Sequence, residues 1–179
     1  LKDLIAQVNK NSDNFLAECL FKTLGAESTK LQGNSFFSQQ AILKFVKDNN
    51  IYWEGTEIVD GSGISRSDQA TPLAINGVLE KMYFDLVHFD DFYNSLSIAG
   101  VDGTLRGRMI GSSAGNNFRG KTGTLNGVSG LAGYLTTPEG EDLIVTIIFE
   151  FNKGGWGYYR DVQDQIVEIL LDLKVNSPD

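Results

Sequence analysis

Residues 115–122 contain the pattern G-x-x-x-x-G-K-[ST], in which a glycine-rich loop binds phosphate and a lysine neutralises its charge. Residues 144–149, followed by Glu150, resemble the apolar strand and acid with which a nucleotide hydrolase holds magnesium. Taken alone, this spacing predicts nucleotide binding. That chemistry requires an apolar strand before the loop and a helix after it, because the backbone N–H groups at the helix start must face the phosphates.

The sequence around this pattern does not supply those two elements. The preceding residues, 111–114, are too polar and too rich in small residues to form a buried strand. Four glycines follow the pattern, and each would cost a helix about 1 kcal/mol: Gly123, Gly127, Gly130 and Gly133. We therefore expect a strand rather than a helix at Lys121-Thr122-Gly123, and we keep a P-loop nucleotide hydrolase only as a remote alternative.

A second short pattern, Ser12-Asp13-Asn14, lies at the start of an early predicted helix. Penicillin-binding proteins and class A β-lactamases carry three short elements, S-x-x-K, S-D-N and K-T-G. The chain contains the second and the third in that order, with K-T-G on the first strand of the predicted sheet. Either tripeptide alone is a weak signal, whereas the two together in these contexts favour the chemistry of acyl transfer.

Four blocks of sequence connect the chain with one family of such enzymes, namely residues 9–18, 60–66, 99–105 and 119–124. On these blocks it strongly resembles the D-alanyl-D-alanine carboxypeptidase/endopeptidase family of class C low-molecular-mass penicillin-binding proteins, peptidase family S13. The resemblance runs from Leu1 to the terminal helix. It implies a serine-type hydrolase of peptidoglycan metabolism that forms an acyl-enzyme and binds penicillin.

The nucleophile element S-x-x-K is absent, since no serine of this chain has a lysine three residues later. The nearest imitation, Cys19-Leu20-Phe21-Lys22, lies on the same predicted helix as S-D-N, and we interpret Cys19 as a buried packing residue beside Phe15. In the family, S-x-x-K comes earlier than S-D-N. We therefore expect residues 1–179 to be the C-terminal portion of a single transpeptidase-like domain, and the isolated chain to be inactive.

The resemblance assigns catalytic roles to Ser12, Asn14 and Lys121. In the complete enzyme Ser12 would relay a proton between the missing lysine and the leaving nitrogen, because a hydroxyl both donates and accepts. Asn14 would offer its amide to a substrate carbonyl. Lys121 would keep the pocket positive, which favours an anionic substrate terminus. Asp13, between the first two, is expected to interact with the N-terminus of its helix instead.

The resemblance also places three substrate-binding residues on the K-T-G strand. The hydroxyls of Thr122 and Thr124 suit the terminal carboxylate of a stem peptide ending in D-Ala-D-Ala, or of a β-lactam. Gly123 would let the substrate backbone lie against the strand as an added strand. The backbone N–H of Thr124 would be one oxyanion donor.

Hydrophobic periodicity predicts helices first and then a small antiparallel sheet closed by a helix. The predicted helices span residues 13–24 (with Gly25 as the stop), 36–48, a segment from Pro72 to Met82, and 161–173, and the predicted extended segments are 51–59, 128–137 and 143–151. The fold class is therefore α/β of the α+β type. The resemblance makes it a penicillin-binding protein/β-lactamase-like transpeptidase domain without its N-terminal strands and nucleophile helix.

Composition limits the partners. A formal net charge of −8 argues against general nucleic-acid binding, and one Cys with one His cannot build a disulfide or a usual zinc site, so we expect no metal and no cofactor. No apolar run approaches the roughly 20 residues that a membrane helix needs. The resemblance implies as partners a stem peptide ending in D-Ala-D-Ala and, for the complete enzyme, β-lactams. It also implies that the chain binds the absent N-terminal part of the same protein or a second copy of itself. The implied location is the periplasm or cell envelope.

Other residues receive structural interpretations. Asp60 is expected to hold a tight turn, Asp102, Arg106 and Arg108 to pair with one another or to brace the loop before the K-T-G strand, and His88 to lie at the surface or in packing. A different class of function also stays open at this point. A non-catalytic binding or scaffolding module could keep the K-T-G pocket and lack the nucleophile.

Overall fold

The computed structural model describes residues 1–173, which divide into two compact units, Leu1–Ser95 and a second unit that begins at Leu96. Each unit contains one of the two short motifs. The first unit is helical, and the second contains the sheet. Within the described residues, no helix combines the length and the apolar character needed to cross a membrane.

The first unit contains five helices: α1 (Lys2–Asn11), α2 (Asn14–Thr29), α3 (Ser35–Asp48), α4 (Pro72–Tyr83) and α5 (Phe89–Ser95). Polar side chains cap three of them, since each accepts a hydrogen bond from a backbone N–H in the first turn. Asp13 caps α2, Asn34 caps α3 and Thr71 caps α4, at 2.9, 2.9 and 3.1 Å. The predicted helices at 36–48 and from Pro72 are thereby confirmed.

The prediction that the second helix stops at Gly25 is wrong, because α2 continues to Thr29. Gly25 is buried where α2 crosses α3, and a Cβ there would lie 2.6 Å from Ser38 Oγ and 2.8 Å from Ser38 N. The fully buried Ser38 hydroxyl donates to the Phe21 carbonyl at 2.6 Å. The glycine therefore serves helix–helix contact rather than helix termination.

The segment 51–59, predicted to be extended, forms no regular strand. The segment instead takes part in an isolated antiparallel bridge, between Glu57 and Gln69. Asp60 then organises the turn that sequence analysis predicted, since its carboxylate accepts from the backbone N–H groups of Ser62, Gly63 and Ser65 at 2.8, 2.5 and 2.8 Å.

The second unit contains a four-stranded antiparallel sheet in the order β1 (Ser97–Ile98), β2 (Phe118–Leu125), β3 (Val128–Thr136) and β4 (Asp142–Glu150). The predicted hairpin of β3 and β4 is confirmed. A short 3₁₀ turn (Gly103–Leu105) lies between β1 and β2, and α6 (Trp156–Leu171) follows the sheet. This last helix begins earlier than the predicted 161.

Apolar residues from the loop, the strands and α6 form the core of this unit: Ala99, Leu105, Met109, Ala114, Phe118, Leu131, Leu135, Val145, Val167 and Leu171. Val167 and Leu171 lie one helical turn apart, so a single face of α6 covers the sheet. Alternate residues of β3, such as Leu131 and Leu135, reach the same core. The predicted α+β class, with an antiparallel sheet covered by a helix, is confirmed.

The phosphate-loop interpretation lacks its structural basis. Lys121 and Thr122 lie in the middle of β2, whose next element is β3. The turn Asn126-Gly127 joins the two strands, with Gly127 at φ 81°. A phosphate loop needs a helix at that point, because its N-terminal N–H groups bind the anion.

Candidate active site

Ser12 lies at the junction of α1 and α2 in the left-handed backbone conformation, with φ 54° and ψ 49°. This region is uncommon for a residue with a Cβ and ends α1 abruptly. The next residue, Asp13, begins the second helix, because its Oδ1 accepts from Leu16 N at 2.9 Å and caps α2. The expectation that Asp13 serves the helix is therefore confirmed, and the junction holds Ser12 outside both helices.

Asn14 is the first residue of α2, and its side chain is exposed. The S-D-N tripeptide thus places a hydroxyl and an amide at one helix–helix junction, with the cap residue between them. Cys19, in the second turn of α2, is also exposed. The interpretation of Cys19 as a buried residue is wrong, and so is its packing beside Phe15, whose side chain is 75% exposed.

The K-T-G element lies on β2 in the second unit. Successive side chains of a strand point to opposite faces, so Lys121 and Gly123 share one face while Thr122 and Thr124 share the other. Gly123 pairs with Gly130 across the β2–β3 ladder, and a Cβ at Gly123 would meet no atom of the described residues within 4 Å. The strand therefore has open space beside its central glycine.

One edge of this strand is available for another backbone. β1 pairs with β2 only at Arg119 and Gly120, so among the described strands none pairs with that edge from Thr122 to Leu125. An extended peptide can add to such an edge through main-chain hydrogen bonds, with alternate side chains giving specificity. The geometry suits a short extended ligand.

Lys121 is half-buried on this strand, and its ammonium donates to the Thr122 carbonyl at 2.8 Å. Burial lowers the pKa of Lys121 below its ordinary value, because a low-polarity surrounding disfavours the charged form. An anionic ligand beside the ammonium would offset that penalty. Lys121 therefore favours ligands that bring negative charge to the strand.

Thr122 makes a hydrogen bond that sequence analysis missed. Its hydroxyl donates to Thr104 Oγ1 at 2.9 Å, from β2 to the 3₁₀ turn. The backbone N–H of Thr104 donates in turn to Ser97 Oγ at 3.2 Å, and Ser97 is fully buried. The block 99–105, which carried part of the family resemblance, thus supports the K-T-G threonine from a buried anchor.

Thr124 also has a partner that sequence analysis missed, since Arg160 Nη2 donates to its Oγ1 at 3.1 Å. Arg160 is an exposed residue in the first turns of α6. The only local signal was its position near the start of a terminal helix, and the predicted start at 161 excluded it. The contact joins residues 36 positions apart.

The remaining candidates have structural roles. Arg108 pairs with Asp164 of α6 at 2.7 Å, so it braces the loop before β2, the second of the two roles expected for it. Asp102 Oδ1 accepts from the Ile98 backbone N–H at 2.8 Å and braces the loop after β1. His88 is exposed beside Asp85, as predicted for a surface residue. Within residues 1–173, no cluster of three or more His, Cys, Asp or Glu side chains could hold a metal ion.

The antiparallel sheet and its covering helix have the fold of the penicillin-binding proteins and of β-lactamases, and the K-T-G edge lies on that fold. The sequence profile of the D-Ala-D-Ala carboxypeptidase 3 (S13) family matches residues 1–173. The chain belongs to this family, as the resemblance predicted.

Individual relatives agree with this assignment. The chain is 33% identical over 145 residues to the D-alanyl-D-alanine carboxypeptidase DacB of Haemophilus influenzae, an alignment that covers 79% of this chain and 30% of that protein. The crystal structure of penicillin binding protein 4 (dacB) from the same organism, in complex with a β-lactam, is similar with a TM-score of 0.81 at 27% identity, over 93% of this chain and 41% of that one.

The fold extends to more distant proteins. The TLA-3 extended-spectrum β-lactamase has a TM-score of 0.70 at 16% identity, over 96% of this chain and 64% of that one, which shows the fold alone. The chain spans about a third of the length of the curated relatives it matches, with coverage between 27% and 37%.

Proposed function

We propose that this chain forms the S-D-N and K-T-G side of a serine-type D-Ala-D-Ala carboxypeptidase/endopeptidase of peptidoglycan metabolism. The observation that carries the proposal is the K-T-G edge, where a half-buried lysine with a lowered pKa lies on a strand whose outer side is open. Family membership supplies the reaction class. The nucleophilic serine would come from outside residues 1–179, since the chain contains no S-x-x-K.

The reaction would follow the acyl-enzyme route of the family. The serine oxygen attacks the carbonyl between the two D-alanines, the C–N bond breaks, and the terminal D-alanine leaves after its nitrogen gains a proton. Ser12 would pass that proton, since a hydroxyl both accepts and donates. Asn14 would donate its amide to a substrate carbonyl, and Lys121 would hold the pocket positive.

The substrate would lie along the K-T-G edge as an added strand. The open space beside Gly123 admits its backbone, and Thr122 and Thr124 line the same edge. The backbone N–H of Thr124 would donate to the developing oxyanion. A β-lactam would occupy the same edge, because its carbonyl and carboxylate imitate those of the D-Ala-D-Ala terminus.

The surroundings follow from the same proposal. Both units would belong to one transpeptidase-like domain in the periplasm or cell envelope.

β4 is the last strand of the sheet and pairs with β3 alone among the described strands. Such an edge favours pairing with another segment, here the N-terminal part of the protein or a second copy. Light scattering on the 179-residue chain should therefore show self-association, and a monomer at high concentration would contradict it.

A second candidate is a non-catalytic module that binds stem peptides through the K-T-G edge. The open K-T-G edge supports it, because an extended peptide can add to such an edge through main-chain hydrogen bonds without a nucleophile. Fluorescent penicillin decides between the two candidates when it is added to the protein as encoded in the genome. A covalent adduct on a serine of an S-x-x-K element supports the enzyme, whereas reversible binding without an adduct supports the module.

The same reagent should leave no adduct on residues 1–179 alone, because acylation requires a serine activated by an adjacent base. In matched samples of the protein as encoded in the genome, fluorescent penicillin should label the Lys121→Ala variant more slowly than wild type. An adduct mapped to any residue of the isolated chain, with Cys19 the first to check, would contradict the proposed division of the site.

A further inference from the structure

The contact between Arg160 and Thr124 determines which way the Thr124 hydroxyl is polarised. A guanidinium has donors and no acceptor, so at 3.1 Å the Thr124 oxygen accepts from Arg160. The hydroxyl proton of Thr124 is then left to donate to a third group. Both side chains are exposed. Together they present N–H and O–H donors at one place, which suits an anion.

A partly buried ion pair fixes the backbone from which Arg160 extends. Arg108 donates to Asp164 Oδ1 through Nε at 3.0 Å and Nη2 at 2.7 Å, and the two side chains are only 10% and 18% exposed. Arg108 Nη2 also donates to the backbone carbonyl of Arg160 at 3.0 Å. Pairing with two parallel N–H groups restricts the geometry, so the first turns of α6 have a defined position.

A second contact, which is buried, relates α6 to β3, the strand paired with the one that carries Thr124. Gln163 is fully buried, accepts from Arg108 Nη2 at 3.1 Å and donates through Nε2 to the Ser129 carbonyl at 3.1 Å. Ser129 is the cross-strand partner of Thr124 in the β2–β3 ladder. The helix is therefore aligned with the sheet at the Thr124 position, which keeps Arg160 beside the threonine.

We propose that Arg160 is a specificity residue that binds, together with Thr124, the free carboxylate at the terminus of the substrate. This inference rests on the proposed function and deepens it. Hydrogen bonds from a guanidinium to a carboxylate are charge-assisted and about twice as strong as those between neutral groups. A peptide whose C-terminus is blocked, or continues into another residue, offers no such charge. Arg160 therefore favours carboxypeptidase action over endopeptidase action.

The test is binding of two ligands to the 179-residue chain, followed by nitrogen-edited NMR. The ligands are N-acetyl-D-Ala-D-Ala and its C-terminal amide, which differ only at the terminus, a carboxylate in the first and a neutral carboxamide in the second. The free acid should shift the backbone N–H signals of Gly123 and Thr124 and bind about tenfold more tightly than the amide, the effect of one charge-assisted hydrogen bond. Arg160→Gln should remove this difference, and Arg160→Lys should keep part of it.

The matched control is Lys153→Gln, which removes the same charge shortly before α6 from a side chain that makes no contact with Thr124 among the described residues. It should keep the preference for the acid. Equal binding of acid and amide by wild type, no shift at Thr124 with the acid, or an unchanged preference in Arg160→Gln would each overturn the assignment. Penicillin labelling of the longer protein tests the proposed function separately, since acylation does not depend on this preference.

Discussion

The Thr122 hydroxyl donates to Thr104 Oγ1 at 2.9 Å, across 18 positions of sequence. The contact holds the K-T-G threonine in one rotamer, because Thr104 is itself held through its backbone N–H by the buried Ser97. A side chain held in this way needs no reordering when a ligand arrives. Thr104 is therefore a positioning residue for the candidate active site, and it acts through Thr122.

Replacing Thr104 by valine should weaken catalysis while preserving the fold. Valine keeps the shape but cannot accept the hydrogen bond, so kcat/KM of the complete enzyme that we propose should fall about tenfold, the value of one hydrogen bond. Thr104→Ser should restore most of the activity. The control is Thr146→Val on β4, whose buried hydroxyl has no hydrogen-bond partner in the part of the chain that the structure describes. Equal activity of Thr104→Val and wild type would show that the contact does not position Thr122.

The lowered pKa of Lys121 predicts that its contribution to stability rises at alkaline pH. Between the folded-state pKa and the ordinary value of 10.5, the unfolded chain retains a proton that the folded chain has released. The contribution of Lys121 to the free energy of unfolding therefore increases with pH across that window. Denaturation curves followed by tryptophan fluorescence should show that wild type gains stability relative to Lys121→Met across the same window. The exposed Lys44→Met on α3 serves as the control and should show the same gain relative to Lys121→Met.

Asp60 and Asp68 should affect stability with opposite pH dependence. Burial, and the nearby Asp60 charge, raise the pKa of Asp68, whose Oδ2 is buried without a hydrogen-bond partner among residues 1–173. Its contribution is present at low pH and is lost as pH rises through the folded-state pKa. Asp68→Asn should therefore gain stability relative to wild type as pH rises from about 4 to neutrality, since the ordinary value is 3.8.

Asp60 provides the matched comparison. Burial alone would raise the pKa of Asp60, but the backbone N–H groups of Ser65 and Gly63 outweigh it and lower the pKa. The stability that Asp60 contributes is present above its ordinary pKa and is lost as pH falls through the folded-state value. Asp60→Asn should therefore be destabilising at neutral pH and less so in acid. Parallel pH profiles for the two variants would contradict both assignments.

Two glycine-to-alanine substitutions should have opposite effects on stability. Gly25→Ala forces a Cβ to within 2.8 Å of the α3 backbone at Ser38 N, so it should cost about 1–3 kcal/mol. Gly157→Ala in α6 meets nothing within 4 Å and should stabilise by up to about 1 kcal/mol, because alanine favours helix. Thermal melting measures both. A neutral Gly25→Ala would mean that α2 and α3 can separate at low cost.

Much of the site could be predicted from short stretches of sequence. The helices at 36–48 and from Pro72 were predicted from local sequence, and the caps that begin them in the structure, Asn34 and Thr71, are local too, since a cap bonds to an N–H two or three residues away. The glycines after Thr122 excluded a helix and so assigned K-T-G to a strand. The four sequence blocks that include S-D-N and K-T-G then indicated the family, which the match over residues 1–173 confirmed. Each of these signals depends on neighbours along the chain.

The partners of the K-T-G strand were decided only by tertiary structure. Thr104 reaches Thr122 because a 3₁₀ turn packs beside β2, and Arg160 reaches Thr124 because α6 lies across the sheet. Gly25, which resembles a helix stop in the sequence, stays helical because α3 approaches too closely for a side chain. Hydrogen bonds and contacts between distant segments depend on strand register and on side-chain packing, and no local propensity encodes either of them.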